Sequence, residues 1–330
     1  VTSRLRLRFS GIVQGVGFRP FVYKTAVSRG LTGFVQNTPE GVVVEIEGDE
    51  GSLQDFLAAL TTQAPPLAEI AHVDTERIRP VADTLFRIES SRTSGRTEVL
   101  ISPDIATCDN CLKELFDPTN RRYRYPFINC TDCGPRLTII RDVPYDRSRT
   151  SMSVFPLCED CRHEYEDMSD RRFHAEPNAC PVCGPRLCLL DGKGNPIEAG
   201  DVVKEAQRLI KAGKVLAIKG LGGFHLCVNA QDDRAVARLR KRKSREEKPL
   251  AIMVRDLGTA SGIAHIGEVE RLLLMSPSRP IVVCRAKTPS AVSGLVAPHM
   301  GTLGIMLPYT PLHHLILERD CEILVMTSAN

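Results

Sequence analysis

The sequence predicts a multidomain protein of the α+β and α/β classes, with a cysteine-rich segment between two domains. Three observations support this prediction. The first 91 residues carry strand and helix patterns in the order β-α-β-β-α-β. Residues 92–190 contain four Cys-x-x-Cys pairs, and residues 191–330 alternate short apolar strands with helical segments. We therefore expect domains over 1–91, 92–190 and 191–330.

In the amino-terminal domain, residues 4–13 alternate charged and apolar side chains, as in a strand with one buried face. A helix is expected from about Pro20 to Ser28, because proline suits a first helical turn. Strands follow over 33–37 and in VVVEIEG, then a helix over 52–63 with Ser52 as its N-cap. HVDTERI and LFRIES supply the last strands. This order is that of a ferredoxin-like sandwich.

A glycine-containing loop enters the first helix of this domain. Several backbone N–H groups converge at such a helix start, which is a recipe for holding a phosphate. Arg19 can add a charge-assisted fork to the same anion, and Asn37 can orient a water molecule. On the residues alone, a plain turn with a solvated arginine is the more frequent outcome. The candidate phosphate-binding residues are Gln14, Gly15, Val16, Gly17, Phe18 and Arg19.

GIVQGVGFRPF together with GFVQNTPEGVVVEIEG resembles the acylphosphatase family, and the resemblance covers residues 1–91. In that family the loop and the arginine bind the phosphoryl group, and the asparagine positions the attacking water. The resemblance therefore implies catalytic roles for Arg19 and Asn37.

The central segment repeats a cysteine motif with a period of 50 residues. Eighteen residues separate the first pair from the second, and eighteen separate the third from the fourth. Two such pairs can complete the closed tetrahedral S4 shell of structural zinc. The repeat favours sequential pairing of the four pairs, and interleaved pairing stays open. We expect two zinc ions on Cys108, Cys111, Cys130, Cys133, Cys158, Cys161, Cys180 and Cys183.

Other roles for these cysteines are less favoured. Disulfides belong to small secreted domains, whereas this chain has 330 residues and begins with no export-signal pattern. One Cys-x-x-Cys could be a redox motif, but four in register argue against it. A catalytic zinc with an open position would need a missing cysteine, for which His163 and His174 are the nearby substitutes.

The composition of the chain limits the kinds of partner that we expect. The net charge of +3 gives no large basic field, which argues against nucleic acid as a partner. The basic-aromatic run at 121–127, RRYRYPF, is expected to form a small local core rather than bind RNA. No apolar run reaches the roughly 18 residues of a membrane span. Single cysteines such as Cys227 fit a reducing cytoplasm, where we expect the protein.

The carboxyl-terminal domain is expected to be an α/β sheet. DVVKEAQRLIKAG at 201–213 has helical spacing, and VLAIKG reads as a buried strand followed by a loop at 221–226. DDRAVARLRKRK reads as a helix with Asp232 near its cap. PLAIMV, PIVVCR and EILVMT read as strands, separated by helical segments such as EVERLLLM and PLHHLILE.

Polar residues stand where these strands end, and loops at strand ends are where open sheets place ligands. By charge alone, RLRKRKSREEK reads as a solvated helix end. KGLGGFHL, the K-x-R before PLAIM, LGIMLPYTPLHHL and TSAN together resemble the YrdC-like family over about 195–330. The match stops at the S-x-N element, so we expect an incomplete twisted sheet. The resemblance implies nucleotide-binding roles for Lys219, His225, Lys243, Arg245, Ser328 and Asn330.

The three parts in this order resemble the HypF family of hydrogenase-maturation carbamoyltransferases. That resemblance implies a carbamoyl phosphate- and ATP-dependent enzyme that forms carbamoyl-adenylate, with Mg2+ accompanying ATP. It also implies HypE as partner, whose carboxyl-terminal cysteine accepts the carbamoyl group on the way to a cyanide ligand of a nickel-iron centre. Because the chain ends on TSAN after an apolar run, we expect a piece of a longer protein. The alternatives are an RNA-linked protein of tRNA threonylcarbamoyl-adenylate synthesis and a non-catalytic zinc scaffold.

Overall fold

The computed structural model describes residues 2–96, 98–318 and 321–329. Asn330, one of the expected nucleotide-binding residues, lies outside the described residues. The chain forms two compact units. The first unit comprises Val1–Asp104 and Asn129–Gly184, and the second unit comprises Ile105–Ile128 and Pro185–Asn330. The cysteine-rich segment is therefore divided between the two units.

The first unit contains a five-stranded sheet in the order β4-β1-β3-β2-β5. The first four strands pair antiparallel, and β5 joins β2 in parallel. Four antiparallel strands in this order with two helices are the expected ferredoxin-like sandwich, so that prediction is confirmed. Its elements are β1 (Thr2–Ile12), α1 (Phe18–Val27), β2 (Thr32–Thr38), β3 (Gly41–Asp49), α2 (Glu50–Thr62), β4 (Glu69–Ile78) and β5 (Phe86–Ile88).

Apolar periodicity places the core of this sandwich. Leu7, Val44 and Phe56 are fully buried, one from each of β1, β3 and α2. The predicted N-cap of α2 was wrong. The helix begins at Glu50, and Asp49 caps it by accepting a hydrogen bond from the backbone N–H of Ser52 at 3.0 Å. An aspartate in extended conformation satisfies the free N–H groups of the first turn as well as serine does, so the helix starts earlier.

The cysteine repeat is visible in the structure as a repeated short helix. Helix α3 (Asp109–Phe116) begins directly after Cys108 in the second unit. Helix α4 (Glu159–Glu166) begins directly after Cys158 in the first unit. Each cysteine is the N-cap of its helix, and the second cysteine of each pair, Cys111 or Cys161, is buried in its first turn.

The second unit contains a seven-stranded mixed sheet in the order β6-β7-β12-β8-β11-β10-β9. Among the described residues, β8 pairs with β11 in parallel and the other neighbours pair antiparallel. Its elements are α5 (Val202–Lys211), β6 (Leu216–Lys219), β7 (Phe224–Asn229), α6 (Asp233–Lys243), β8 (Ile252–Val254), α7 (Leu257–Ile263), β9 (Ala264–His265), α8 (Glu268–Met275), β10 (Val282–Ala286), β11 (Thr302–Met306), α9 (Pro311–Ile316) and β12 (Ile323–Ser328).

The expected α/β alternation is confirmed, with one difference. The predicted loop at 221–226 ends early, because Phe224 already begins β7. Asp232 caps α6 as predicted, since its carboxylate accepts from the backbone N–H groups of Arg234 and Ala235. Fully buried residues such as Val228, Ile252 and Val325 form the core of the sheet. Among the described residues, no helix has both the length and the apolar character that crossing a bilayer requires.

Residues 105–128 pack within the second unit although they carry half of the first cysteine motif. The Arg124 guanidinium pairs with the Glu318 carboxylate at 2.6 Å. The backbone N–H of Ala106 donates to the carbonyl of Pro277 at 2.9 Å. Arg122 and Tyr125 of the basic-aromatic run are buried, as expected for a local core.

Candidate functional sites

Five residues of the predicted phosphate-binding loop line one cavity in the first unit together with Asn37, namely Gln14, Gly15, Gly17, Phe18 and Arg19. Val16 is instead buried in the hydrophobic core of the sandwich. The cavity measures about 20 Å³, which is room for about one water molecule. Gly15 and Gly17 have φ of 74° and 75°, where a side chain would be strained. A Cβ added at Gly15 would also approach Cδ of Arg136 to 3.1 Å. The two glycines therefore allow the loop to turn into α1 with its backbone exposed to the cavity.

Gln14 anchors this loop rather than facing the cavity with a free amide. Its Nε2 donates to the carbonyls of Thr38 and Gly41, both at 2.8 Å. Its Oε1 accepts from the backbone N–H of Tyr145, also at 2.8 Å. All three bonds go to backbone atoms of the first unit. The glutamine therefore fixes the position of the loop against β2, β3 and the segment that carries Tyr145.

Arg19 and Asn37 are brought together, as the resemblance implies for a catalytic pair. With the amide oriented to satisfy its neighbours, the Asn37 oxygen accepts from Nε and Nη2 of Arg19 at 3.1 and 3.3 Å. Asn37 is 1% exposed. The amide group therefore lies where it can contact both the arginine and a water molecule in the cavity.

Two carboxylates from the cysteine-rich segment also bind Arg19. Nη2 of Arg19 pairs with Oε1 of Glu176 at 2.9 Å, and Nη1 pairs with Oδ1 of Asp146 at 2.9 Å. Burial acts to lower the pKa of Arg19, but the charges of Glu176 and Asp146 outweigh it and raise the pKa. Burial raises the pKa of Glu176, which the charge of Arg19 opposes only in part. His174 lines the same cavity, and burial and Arg19 lower its pKa to about 4, so its imidazole is neutral.

Arg136 connects the loop to a cysteine turn. Its Nε donates to the carbonyl of Gly15. Its other nitrogens donate to the carbonyls of Cys133 at 3.1 Å, Cys130 at 3.2 Å and Thr131 at 2.8 Å. Arg136 is 2% exposed, so these bonds form away from water. The geometry of the Cys130–Cys133 turn therefore sets the position of the phosphate-binding loop.

The set Cys158, Cys161, Cys180 and Cys183 fits a tetrahedral metal. The four sulfurs lie within 4.8 Å of one another. Cys180 Sγ is 3.7 Å from Cys158 Sγ and 3.8 Å from Cys183 Sγ. A tetrahedron with Zn–S bonds of about 2.3 Å has S···S edges of about 3.8 Å. The donor atoms and their spacing therefore suit zinc, and the geometry agrees with sequential pairing for this set.

The other four cysteines are divided between the two units. Cys108 and Cys111 belong to the second unit, and Cys130 and Cys133 belong to the first. Within the first unit, the Sγ atoms of Cys130 and Cys133 are 3.8 Å apart, the same edge length as in the set above. Cys111, Cys130 and Cys133 are each fully buried. The Cys130–Cys133 turn therefore has the spacing of two sulfurs that bind one metal.

The predicted nucleotide residues in the second unit gather at one end of β6, β7 and β12. Lys219 is opposite Phe224, and His225 is opposite Ser328 in the strand pairing. Nζ of Lys243 donates to the carbonyl of Ser328, and the Arg245 guanidinium donates to Oγ1 of Thr327 at 3.2 Å. Burial and the charge of Arg245 lower the pKa of Lys243. Two cations therefore stand at the end of β12, beside the loop that precedes β7.

Tyr309 is a residue of this region that the sequence reasoning did not single out. Its hydroxyl is 2.5 Å from Nε2 of His225. A Cβ added at Gly220 would come within 3.0 Å of both that hydroxyl and the His225 ring. Burial lowers the pKa of His225, which favours its neutral form. The tyrosine therefore holds His225 at the base of the glycine loop.

Glu176, Asp146 and Arg136 were also missed at the phosphate site. The carboxylates carry no local pattern, because Glu176 lies 157 residues from Arg19 along the chain. The sequence does not distinguish Arg136 either, because Arg136 and Arg186 stand in the same repeated CGPRL. Only the structure separates them, since Arg136 is buried and Arg186 is exposed.

Three family models match the chain. The acylphosphatase model matches residues 5–88, and the HypF finger model matches residues 107–140 and 157–190. A model described as telomere recombination, which groups Sua5, YciO and YrdC sequences, matches residues 208–330. The fold and these matches define a protein that joins an acylphosphatase domain to paired cysteine fingers and a YrdC-like α/β domain.

Comparisons with whole proteins agree with this class. Carbamoyltransferase HypF2 of Cupriavidus necator is 50% identical over 348 residues, covering 100% of this chain and 43% of that relative. The crystal structure of full-length HypF in the phosphate- and nucleotide-bound form matches with a TM-score of 0.95 at 44% identity. It covers 100% of this chain and 43% of that chain. An acylphosphatase of Thermotoga petrophila is 43% identical over 86 residues, covering 26% of this chain and 94% of that relative.

Along its whole length the chain is homologous to the relatives that carry the name HypF. It spans less than half the length of the HypF relatives described above.

Proposed function

We propose that the chain carries the first two activities of a carbamoyltransferase, hydrolysis of carbamoyl phosphate and formation of carbamoyl-adenylate. The observation that carries the proposal is the convergence of the glycine loop, Arg19 and Asn37 on one cavity. We assign hydrolysis to residues 1–91, zinc binding to 92–190 and nucleotide chemistry to 191–330. The name of the Cupriavidus necator relative, a carbamoyltransferase, supports the overall reaction.

In the first step, water attacks the phosphorus of carbamoyl phosphate. A bond forms from the water oxygen to phosphorus, and the bond from phosphorus to the carbamoyl oxygen breaks. Carbamate and inorganic phosphate leave, and the water proton passes to solvent or to the products. Arg19 and the N–H groups of the loop Gln14–Arg19 stabilise the phosphoryl charge, while Asn37 orients the water.

Zinc has a structural role in this proposal. The set Cys158, Cys161, Cys180 and Cys183 would hold one ion. We assign a second ion to Cys108, Cys111, Cys130 and Cys133, supported by the HypF finger match over 107–140 and by the repeat. Fully thiolate-bound zinc stabilises the surrounding fold and leaves no position open for a substrate.

In the second step, a carbamate oxygen attacks the α-phosphorus of ATP. A bond forms from that oxygen to the α-phosphorus, the bond from the α-phosphorus to the bridging oxygen of the β-phosphate breaks, and pyrophosphate leaves. Mg2+ would accompany the ATP as its counter-ion. Lys243 and Arg245 would neutralise the triphosphate, and Ser328 and Asn330 would hydrogen-bond its oxygens. Lys219 and His225 would lie near the carbamate end. The crystal structure of HypF in its phosphate- and nucleotide-bound form supports this assignment.

The carbamoyl group would then pass to the carboxyl-terminal cysteine thiol of HypE, with AMP as the leaving group. We assign that transfer to the part of the relatives that this chain does not span, since the chain covers 43% of the Cupriavidus necator relative. The thiol acceptor and the unpaired Cys227 and Cys284 fit a reducing cytoplasm, where we place the reaction.

The first activity is tested by following phosphate release from carbamoyl phosphate. The chain should hydrolyse it, and Asn37→Ala should lower turnover far more than inorganic phosphate affinity, because Asn37 orients the water and Arg19 still holds the anion. Gln36→Ala is the matched control, since it removes an amide from the same strand that donates to the Ser90 carbonyl at 2.8 Å. Equal losses of turnover and of phosphate affinity in Asn37→Ala would contradict its assigned role.

The second activity is tested by calorimetry with ATP and Mg2+. Binding is expected to be weak in this chain and stronger in a chain extended to the length of its relatives. The double change Lys243→Ala with Arg245→Ala should lower affinity in the extended chain by about 10²-fold, because two charge-assisted contacts are lost. The control is Lys241→Ala with Arg242→Ala, which removes the same charges from exposed positions in the last turn of α6, next to Lys243. An extended chain indifferent to the first pair of changes would exclude this nucleotide site.

A further inference from the structure

Arg19 already binds two carboxylates of the protein at the place where the proposed reaction needs a phosphoryl group. Its two terminal nitrogens pair with the carboxylates of Glu176 and Asp146, both at 2.9 Å. A carboxylate accepts from a guanidinium fork in the same way as phosphate oxygens do. The protein therefore presents its own anions to the cation that binds substrate.

The cavity is too small to hold a phosphoryl group while the carboxylates stay bound to Arg19. At about 20 Å³ it has room for about one water molecule, whereas a phosphoryl group brings three non-bridging oxygens. The charges also conflict, because one arginine faces two carboxylates before any phosphate arrives. A doubly charged acyl phosphate can contact Arg19 only after a carboxylate has left it or has become neutral.

Glu176 is equipped to lose its bond to Arg19. Its Oε2 accepts from the backbone N–H of Arg147 at 2.8 Å, and the hydroxyl of Tyr165 lies 3.2 and 3.1 Å from its two oxygens. These partners can keep the side chain satisfied after Arg19 turns to another anion. Asp146 is less enclosed, at 24% exposure of its side chain against 3% for Glu176. Because opposite charges attract more strongly away from water, the buried Glu176 binds Arg19 more strongly than Asp146 does.

The position of Glu176 depends on the second cysteine set. The guanidinium of Arg147 donates to the carbonyls of Glu176 at 2.6 Å and of Asn178 at 2.8 Å. Asn178 in turn donates to the carbonyl of Cys161 at 3.1 Å. The segment that contains the second cysteine set thus positions the Glu176 carboxylate in the phosphate cavity.

We propose that Glu176 is an internal anion that competes with phosphoryl ligands for Arg19, and that it sets the affinity of this site for phosphate. The inference rests on the proposed acylphosphatase function. A site of this kind binds inorganic phosphate weakly and releases it readily after hydrolysis. It also favours acyl phosphates small enough to fit once the carboxylate has moved.

The test is calorimetry with inorganic phosphate on the 330-residue chain and its variants. Glu176→Gln keeps the shape of the side chain and removes its charge, so phosphate should bind at least about tenfold more tightly. Asp146→Asn should give a smaller increase, and it carries the test if Glu176→Gln does not fold with full zinc content. Glu166→Gln removes an exposed charge from the same segment and should leave the affinity unchanged.

The outcomes separate this inference from the proposed function. Unchanged or weaker phosphate binding in folded Glu176→Gln would overturn the inference, because Glu176 would then serve only to orient Arg19. If Arg19→Ala still abolished phosphate binding in that case, the acylphosphatase site would stand. If no variant bound phosphate at all, both the inference and the proposed site would fail.

Discussion

Removal of zinc should unfold residues 100–190, because the buried thiolates lose the charge that holds them together. Structural zinc binds with about 10–16 kcal/mol at neutral pH, which exceeds the whole stability of many domains. Chelation should therefore abolish the hydrogen-exchange protection of this segment. Metal analysis of fresh protein should return two zinc ions per chain.

Single substitutions sharpen this prediction. Cys161→Ser breaks a fully buried position of the second set and should halve the zinc content. Cys188→Ser is the matched control, because Cys188 is exposed and lies outside both sets. One zinc or none in the unmodified chain would contradict the expected pair of sites, as would unchanged exchange after chelation.

Arg19→Ala should lower the rate of carbamoyl phosphate hydrolysis by about 10²–10³-fold, the cost of one lost transition-state contact. The change also leaves the buried Glu176 without its cation, so folding must be followed alongside activity. The double variant Arg19→Ala with Glu176→Gln removes both charges, and it should be as inactive as Arg19→Ala. Arg19→Lys keeps the charge without the fork and should recover part of the rate.

The control for this series is Arg77→Ala. Arg77 forms an exposed ion pair with Glu50 on the same sandwich, and exposed pairs contribute about 0–1 kcal/mol. It should hydrolyse carbamoyl phosphate at the unmodified rate. Near-normal hydrolysis by folded Arg19→Ala would place the phosphate site elsewhere.

Sequence periodicity predicted the features that depend on near neighbours. The alternation of β1 and the loop before α1 follow from side-chain spacing and glycine positions, and the structure contains both. The N-cap of α2 was wrong by three residues because Asp49 and Ser52 are both good caps, and only the extended backbone at Asp49 distinguishes them.

Long-range contacts were beyond the sequence pattern. Motifs 18 residues apart specify which cysteines resemble one another, but not which core each pair joins. Cys108 and Cys111 follow the apolar residues of 105–128 into the second unit, since Ile105 and Leu115 are buried there. Glu176 reaches Arg19 for a similar reason, because Arg147 of the same segment fixes its backbone by donating to the carbonyls of Glu176 and Asn178.

The division of the chain into units limits how early each unit can fold during synthesis. The first unit is interrupted by residues 105–128, so it cannot be completed on the ribosome until the chain has been made as far as Gly184. Until Pro185 and the rest of the second unit have been made, residues 105–128 lack the residues against which they pack. Such delayed, non-local assembly slows folding and leaves apolar side chains exposed meanwhile. Zinc capture by Cys158, Cys161, Cys180 and Cys183 needs Cys183, so it can take place only as the first unit is being completed.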